Sequence, residues 1–247
     1  MNNRVKIACV TAIIFFLPLS AWAQVSKLYF NQQGKLAVEA SARQYERRYE
    51  EVGGRANVQD FYYPSMKKYS DPYQVPLSQV KSFVPVLEQG VLVLWHFNGQ
   101  KKMSGPYKNG KPNGEWVNWY PNGKKSAVMP YIDGQSNGIG ARYYRNGQQE
   151  SEIHFKNNQA NGVWRQWYEN GRLKTEMQMK ADQPYKLIAW DEDGKLTSEL
   201  IIQNGLRSGV VLDWYESGEK KSEAIYQNDE LIDKTIWDQQ GKVLEEF

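Results

Sequence analysis

The sequence predicts an all-β fold, an elongated and twisted antiparallel meander of seven β-hairpin repeats with degenerate units at its N-terminal end. The first observation behind this is a periodic aromatic residue: Trp95, Trp119, Tyr143, Trp167, Trp190, Trp214 and Trp237 follow one another at intervals of 23 or 24 residues. The second is a glycine four residues after every one of them, at 99, 123, 147, 171, 194, 218 and 241. The third is nine Asn-Gly pairs, the dipeptide that tight hairpin turns favour because both of its positions take φ > 0.

Each unit divides into strand, turn, strand, turn. Five residues before the anchors stand Gly90, Gly114, Gly138 and Gly162, then Tyr185, Gly209 and Ile232. Twelve residues after them come Tyr107, Tyr131, Phe155, Met179, Ile202 and Tyr226. A second turn signal follows at Asn109-Gly110, Asp133-Gly134, Asn157-Asn158, Asn204-Gly205 and Asn228-Asp229. Neighbouring strand residues point to opposite faces, so Trp119 and Tyr120, Trp167 and Tyr168, and Trp214 and Tyr215 project apart. Repetition then gives a tryptophan row on one face and a tyrosine row on the other, and cross-strand aromatic pairing is expected to hold the array. A quasi-one-dimensional array needs atypical end units. The last unit has Asp238 where tyrosine is usual.

Residues 24–85 carry fainter echoes. In "FYYPSMKKYS" Tyr62 takes the tryptophan place and Met66 that of the turn glycine; in "YFNQQGKL", which parallels "IWDQQGKV", Gly34 is the turn glycine. Tyr45, Arg47 and Tyr49 alternate, which favours a strand over a charged helix. "SDPYQVPLSQVKSFVPV" has three prolines and reads as a loop crossing to the main array, 86–247.

The N-terminus predicts export. Arg4 and Lys6 precede the apolar run Ile7 to Leu19, and Ala21-Trp22-Ala23 fits a signal-peptidase site, so residues 1–23 read as a cleaved signal peptide. The protein is then expected in the periplasm or outside the cell. Removing that segment lowers the net charge from +3 to +1 and takes away Cys9, the sole cysteine. A nearly neutral chain without a basic block gives no reason to expect nucleic acid. Without disulfides, packing and backbone pairing must hold the fold.

The pattern Gly-x-Trp-x-x-Trp-Tyr-x-Asn-Gly-Lys, seen in "GEWVNWYPNGKKSAVMPYIDGQSNG" (114–138), resembles the bacterial variant of the MORN repeat, often grouped as the YwqK-type antitoxin family. The likeness extends over 86–247 and more loosely over 24–85. It implies a twisted sheet that binds something, in some members a toxin. For an exported chain this becomes an immunity-like component of the cell envelope.

No catalytic constellation is legible, and neither cofactor nor metal is expected. His96 and His154 lie 58 residues apart, with His96 in the aromatic row and His154 on a strand surface. No Gly-x-Ser-x-Gly occurs, and the glycines are turn glycines. "DEDG" (191–194) lacks the later ligands of a calcium loop and reads as a turn, while Glu150 and Glu152 read as an exposed charged strand rather than an acid/base pair. The chain is therefore expected to be a non-enzymatic scaffold for a protein partner. Its partner-facing candidates are the second rings His96, Tyr120, Tyr144, Tyr168 and Tyr215. A cell-wall glycan binder using exposed aromatic rows is the alternative, and a lipid surface ranks lower at a net charge of +1.

Overall fold

Two antiparallel sheets make up the computed structural model, which describes residues 25–246. The proposed signal segment, 1–23, lies outside the described residues. The smaller sheet contains β1 (Ser26–Phe30), β2 (Tyr45–Val52), β3 (Arg55–Tyr62), β4 (Lys67–Lys68) and β5 (Tyr73–Pro76). The larger begins at Gln89 and runs as a continuous meander to Glu246. Among the described residues no helix is long and apolar enough to cross a membrane.

The seven anchors hold in full. Trp95, Trp119, Tyr143, Trp167, Trp190, Trp214 and Trp237 each end a strand. The glycine four residues later always takes a left-handed φ, from 79° at Gly241 to 111° at Gly218. A β-bulge stands beside every anchor, between Leu94 and Trp95 for example, and bends the strand there. The mid-unit turns place both central residues at positive φ, as at Asn109-Gly110 (51° and 73°). Ala181-Asp182 (47° and 65°) forms the same turn without an asparagine or a glycine, which is why its sequence did not reveal it.

Register defines two faces. One row crosses the whole array: Val93, Ser104, Val117, Val128, Ala141, Glu152, Arg165, Glu176, Ile188, Glu199, Val210 and Ile225. This is the outer face, with Arg165 bridging Glu152 (3.0 Å) and Glu176 (2.8 Å). The opposite, inner face carries Leu92, Trp116, Met129, Ile153, Trp164, Met177, Leu187 and Leu200. Glycines let the large rings lie flat on it. A Cβ built on Gly105 would stand 2.0 Å from the Trp116 indole.

The expected aromatic pairing is largely absent. In the array, ring contacts among the described residues are limited to Tyr107–Trp116 (5.1 Å, 84°) and Trp116–Tyr131 (6.4 Å, 79°), all on the inner face. Anchor rings do not stack on one another, because an intervening strand sets successive anchors about 10 Å apart; lysines lie over several instead, such as Lys101 over Trp119 and Lys195 over Trp214.

The smaller sheet caps the first unit. Trp95 N–H donates to the Tyr69 carbonyl (2.8 Å) and Asp71 N–H to that of Val93 (3.0 Å), so the 69–71 segment extends the edge of the array. Ala56, Val58, Tyr73, Val75, Val80, Leu87 and Leu92 form a shared apolar core. Behind it Arg47, fully buried, forms a bidentate pair with Asp60 (2.7 and 3.0 Å). Its remaining hydrogens reach the carbonyls of Val80 (2.9 Å), Ser82 (2.6 Å) and Phe83 (3.3 Å). Tyr73 completes the shell by donating to Asp60 (2.7 Å). The strand expected around Tyr45 is β2. The proline-containing stretch is more structured than a loop, since Tyr73–Pro76 pairs with β3.

Candidate interaction surface

The sequence's candidates for partner contact are the residues after five of the seven anchors, His96, Tyr120, Tyr144, Tyr168 and Tyr215, and they share one geometry. Tyr120 donates its hydroxyl to the carbonyl of the next anchor, Tyr143 (2.7 Å). Tyr144 does the same to Trp167 (2.7 Å), Tyr168 to Trp190 (2.9 Å) and Tyr215 to Trp237 (2.8 Å). His96 Nε2 lies 2.8 Å from the Trp119 carbonyl, so that nitrogen carries the hydrogen and donates. The bulge at each anchor disrupts the sheet ladder locally, and the preceding unit's side chain takes up the carbonyl. All five candidates are half-buried, and their polar atoms engage the neighbouring unit. What they leave to a partner is ring surface.

Tyr62 starts the series. Its hydroxyl donates to the Trp95 carbonyl (2.8 Å), the job done elsewhere by the residue after an anchor. The sequence alignment had put Tyr62 one place earlier, at the tryptophan position; the structure gives it the second-ring role. Burial, with help from Tyr45, pushes its phenol up to about 12, so it remains a donor at any physiological pH.

Turn asparagines add a parallel set of links. Asn98, Asn122, Asn146 and Asn170 each donate to a carbonyl of the following turn, at Pro121, Arg145, Glu169 and Glu192. Their side-chain oxygens accept an N–H two residues on, as from Lys124 to Asn122 (3.1 Å). The asparagine series ends at Asn170, and the hydroxyl series is interrupted at Asp191 before it resumes at Tyr215. The Asp191 carboxylate accepts from Asp193 (3.0 Å) and Lys195 (2.8 Å) within its own turn, the arrangement repeated at Asp238 and, in the N-terminal echo, at Asn31. "DEDG" is accordingly a turn, and the hydroxyl link between the Trp190 and Trp214 units is missing.

Just beyond that break the outer face is apolar. A shallow groove of about 510 Å³ is lined by Glu199, Ile201, Val210, Leu212, Glu223 and Ile225. Ile201 is 60 % exposed and Ile225 39 %. Ion pairs border it, Lys186–Glu199 (2.9 Å) and Lys220–Glu223 (2.6 Å). Sequence reasoning had not singled these residues out, because their pattern is ordinary for a strand and only the open single layer leaves them uncovered.

Among the described residues no group of three or more His, Cys, Asp or Glu side chains is placed to hold a metal ion. His154 lies against Gly162, and Glu152 is paired with Arg165.

Comparison with known families finds the MORN repeat variant four times, at residues 112–133, 137–157, 160–181 and 207–228. These segments hold Tyr120, Tyr144, Tyr168 and Tyr215, the four array units whose second ring is tyrosine. The units with His96, Asp191 and Asp238 are not matched. No curated protein matches the chain. Four segments of the array are thus similar to the MORN repeat variant, a kind of repeat that generally serves as a protein- or membrane-binding scaffold.

Proposed function

We propose that this protein is an exported, non-enzymatic repeat scaffold that binds a protein partner, in the manner of an immunity or antitoxin component. The observation that carries the reading is the outer-face groove: Ile201 and Ile225 stand exposed around Val210 and Leu212, with ion pairs at the rim. An apolar centre with a polar border is the anatomy of a protein interface. Continuous cross-strand pairing, Glu199 with Val210 and Val210 with Ile225, holds the strands beneath the groove in register before binding. Export rests on residues 1–23, the proposed signal peptide, followed by a degenerate segment (24–85) and the array (86–247). Glycan binding is less favoured, because the His96, Tyr120, Tyr144, Tyr168 and Tyr215 rings are half-buried and their polar hydrogens are committed to backbone carbonyls, which leaves a sugar only part of each ring.

The test is capture from the native envelope fraction with tagged protein expressed from the full chain. One protein recovered in stoichiometric amount, and reduced at least about tenfold by Ile201→Glu/Ile225→Glu with unchanged circular dichroism, is the expected result. Recovery indifferent to the double substitution would reject the groove, and cell-wall fragments without protein would reject the protein-partner reading.

A further inference from the structure

The near-zero net charge conceals a strong polarity along the chain. Residues 95–148 hold eight Lys or Arg against two Asp or Glu, whereas 149–247 hold 12 against 19. None of the eight cations in the first group forms an ion pair among the described residues, while Arg165, Arg172, Lys186, Arg207 and Lys220 in the second all do.

The free cations are also in register. Lys67 is the cross-strand partner of Tyr62, Lys101 of Trp95 and Lys125 of Trp119. In the next three units that place is taken by Gln149, Leu173 and Leu196. Lys124 and Arg145 extend the line along the same edge, Lys124 reaching the Asn146 carbonyl and Arg145 lying over the Tyr120 ring. All five are exposed. Between the first two, Phe97 is 52 % exposed beneath Lys67, at one side of a 300 Å³ cleft that also includes Trp95 and His96.

We infer that this edge is a docking ridge for an extended acidic segment of a protein partner. A cluster of like charges is ordinarily a solvated surface, but here the cations are aligned by the sheet register, unpaired and interleaved with aromatic rings. They form a line one turn wide, which suits a linear chain better than a flat surface. Successive hairpins lie about 10 Å apart, twice the strand spacing, and a peptide in the polyproline II form, with three residues per turn and a rise of about 3.1 Å per residue, returns every third side chain to one face at close to that interval. Carboxylates at every third position would meet Lys67, Lys101 and Lys125 in turn, with an apolar residue over Phe97. The inference rests on the protein-partner reading and adds a second surface to the groove, on the opposite half of the array.

Fluorescent poly-glutamate is the probe, titrated against the full-length protein over a salt series, with polygalacturonate and a single-stranded DNA oligonucleotide as competitors of comparable charge. Expected are poly-glutamate binding that weakens as salt rises, a loss of about tenfold or more in Lys101→Glu/Lys124→Glu/Arg145→Glu, and little change in Lys156→Glu/Lys180→Glu. Should the charge-reversed variant fail to fold, Lys101→Gln/Lys124→Gln/Arg145→Gln is expected to show a smaller loss in the same direction. Binding that is absent, unaffected by the ridge substitutions or equally reduced by the control pair would overturn the inference, as would tighter binding of polygalacturonate or DNA. If capture through Ile201 and Ile225 persists while the ridge fails, the ridge alone is rejected; loss of that capture would reject the protein-partner reading itself.

Discussion

Arg47→Met is expected to destabilise the protein by about 3–5 kcal/mol, the cost of removing one member of a buried ion pair. Arg47 is fully buried and Asp60 2 % exposed, so Asp60 would be left as a buried carboxylate with only the Tyr73 hydroxyl against its side chain. The carbonyls of Val80, Ser82 and Phe83 would lose their donor together. These carbonyls belong to the segment that leads from the capping sheet into the array, so the damage is expected to spread to the first unit. The Asp60→Asn change removes the charge that Arg47 neutralises. Arg47→Met/Asp60→Asn is therefore expected to cost clearly less than the two single changes added together. Urea unfolding of the four proteins measures this. Additive costs, or an Arg47→Met within about 1 kcal/mol of wild type, would show that the pair does not organise the cap.

Gly105→Ala is expected to cost nearly as much as removing the Trp116 ring. The added methyl carbon would lie 2.0 Å from the indole, so the indole must leave the sheet. It would then lose its contacts with Tyr107 and Tyr131 and its hydrogen bond to the Pro106 carbonyl (3.2 Å). Displacing a large packed aromatic costs about 3–5 kcal/mol. Once Trp116→Ala has emptied the space, the Gly105 methyl has nothing to displace, so the double variant should be little worse than Trp116→Ala alone. Thermal unfolding checks this; additive effects would mean that Trp116 accommodates the methyl where it stands.

Much of the fold was legible because the repeat writes its own punctuation. Only a residue tolerant of positive φ suits each anchor turn, and the glycine at every one made the seven units visible. The link between units was not legible. A tyrosine hydroxyl bonded to a main-chain carbonyl 22 or 23 residues away leaves no mark in composition, and Tyr120 looks the same in sequence whether its ring meets a partner or its hydroxyl ties two units together. Tyr62 was placed one position early for a related reason: the alignment followed Pro64 and Lys67, whereas its role follows from the Trp95 carbonyl it reaches. The charge polarity was present in the sequence throughout. Summing over the whole chain cancelled it, and counting by repeat recovers it.

The central claim is that the second rings tie each repeat to the next through their hydroxyls. Tyr120→Phe/Tyr144→Phe/Tyr168→Phe keeps all three rings and removes only the three hydroxyls, and urea unfolding followed by circular dichroism is the most direct measurement. At about 0.5–1.5 kcal/mol per hydrogen bond, a loss of about 1.5–4.5 kcal/mol is predicted. An unchanged midpoint and slope would contradict the account and return these tyrosines to the surface as partner-binding rings.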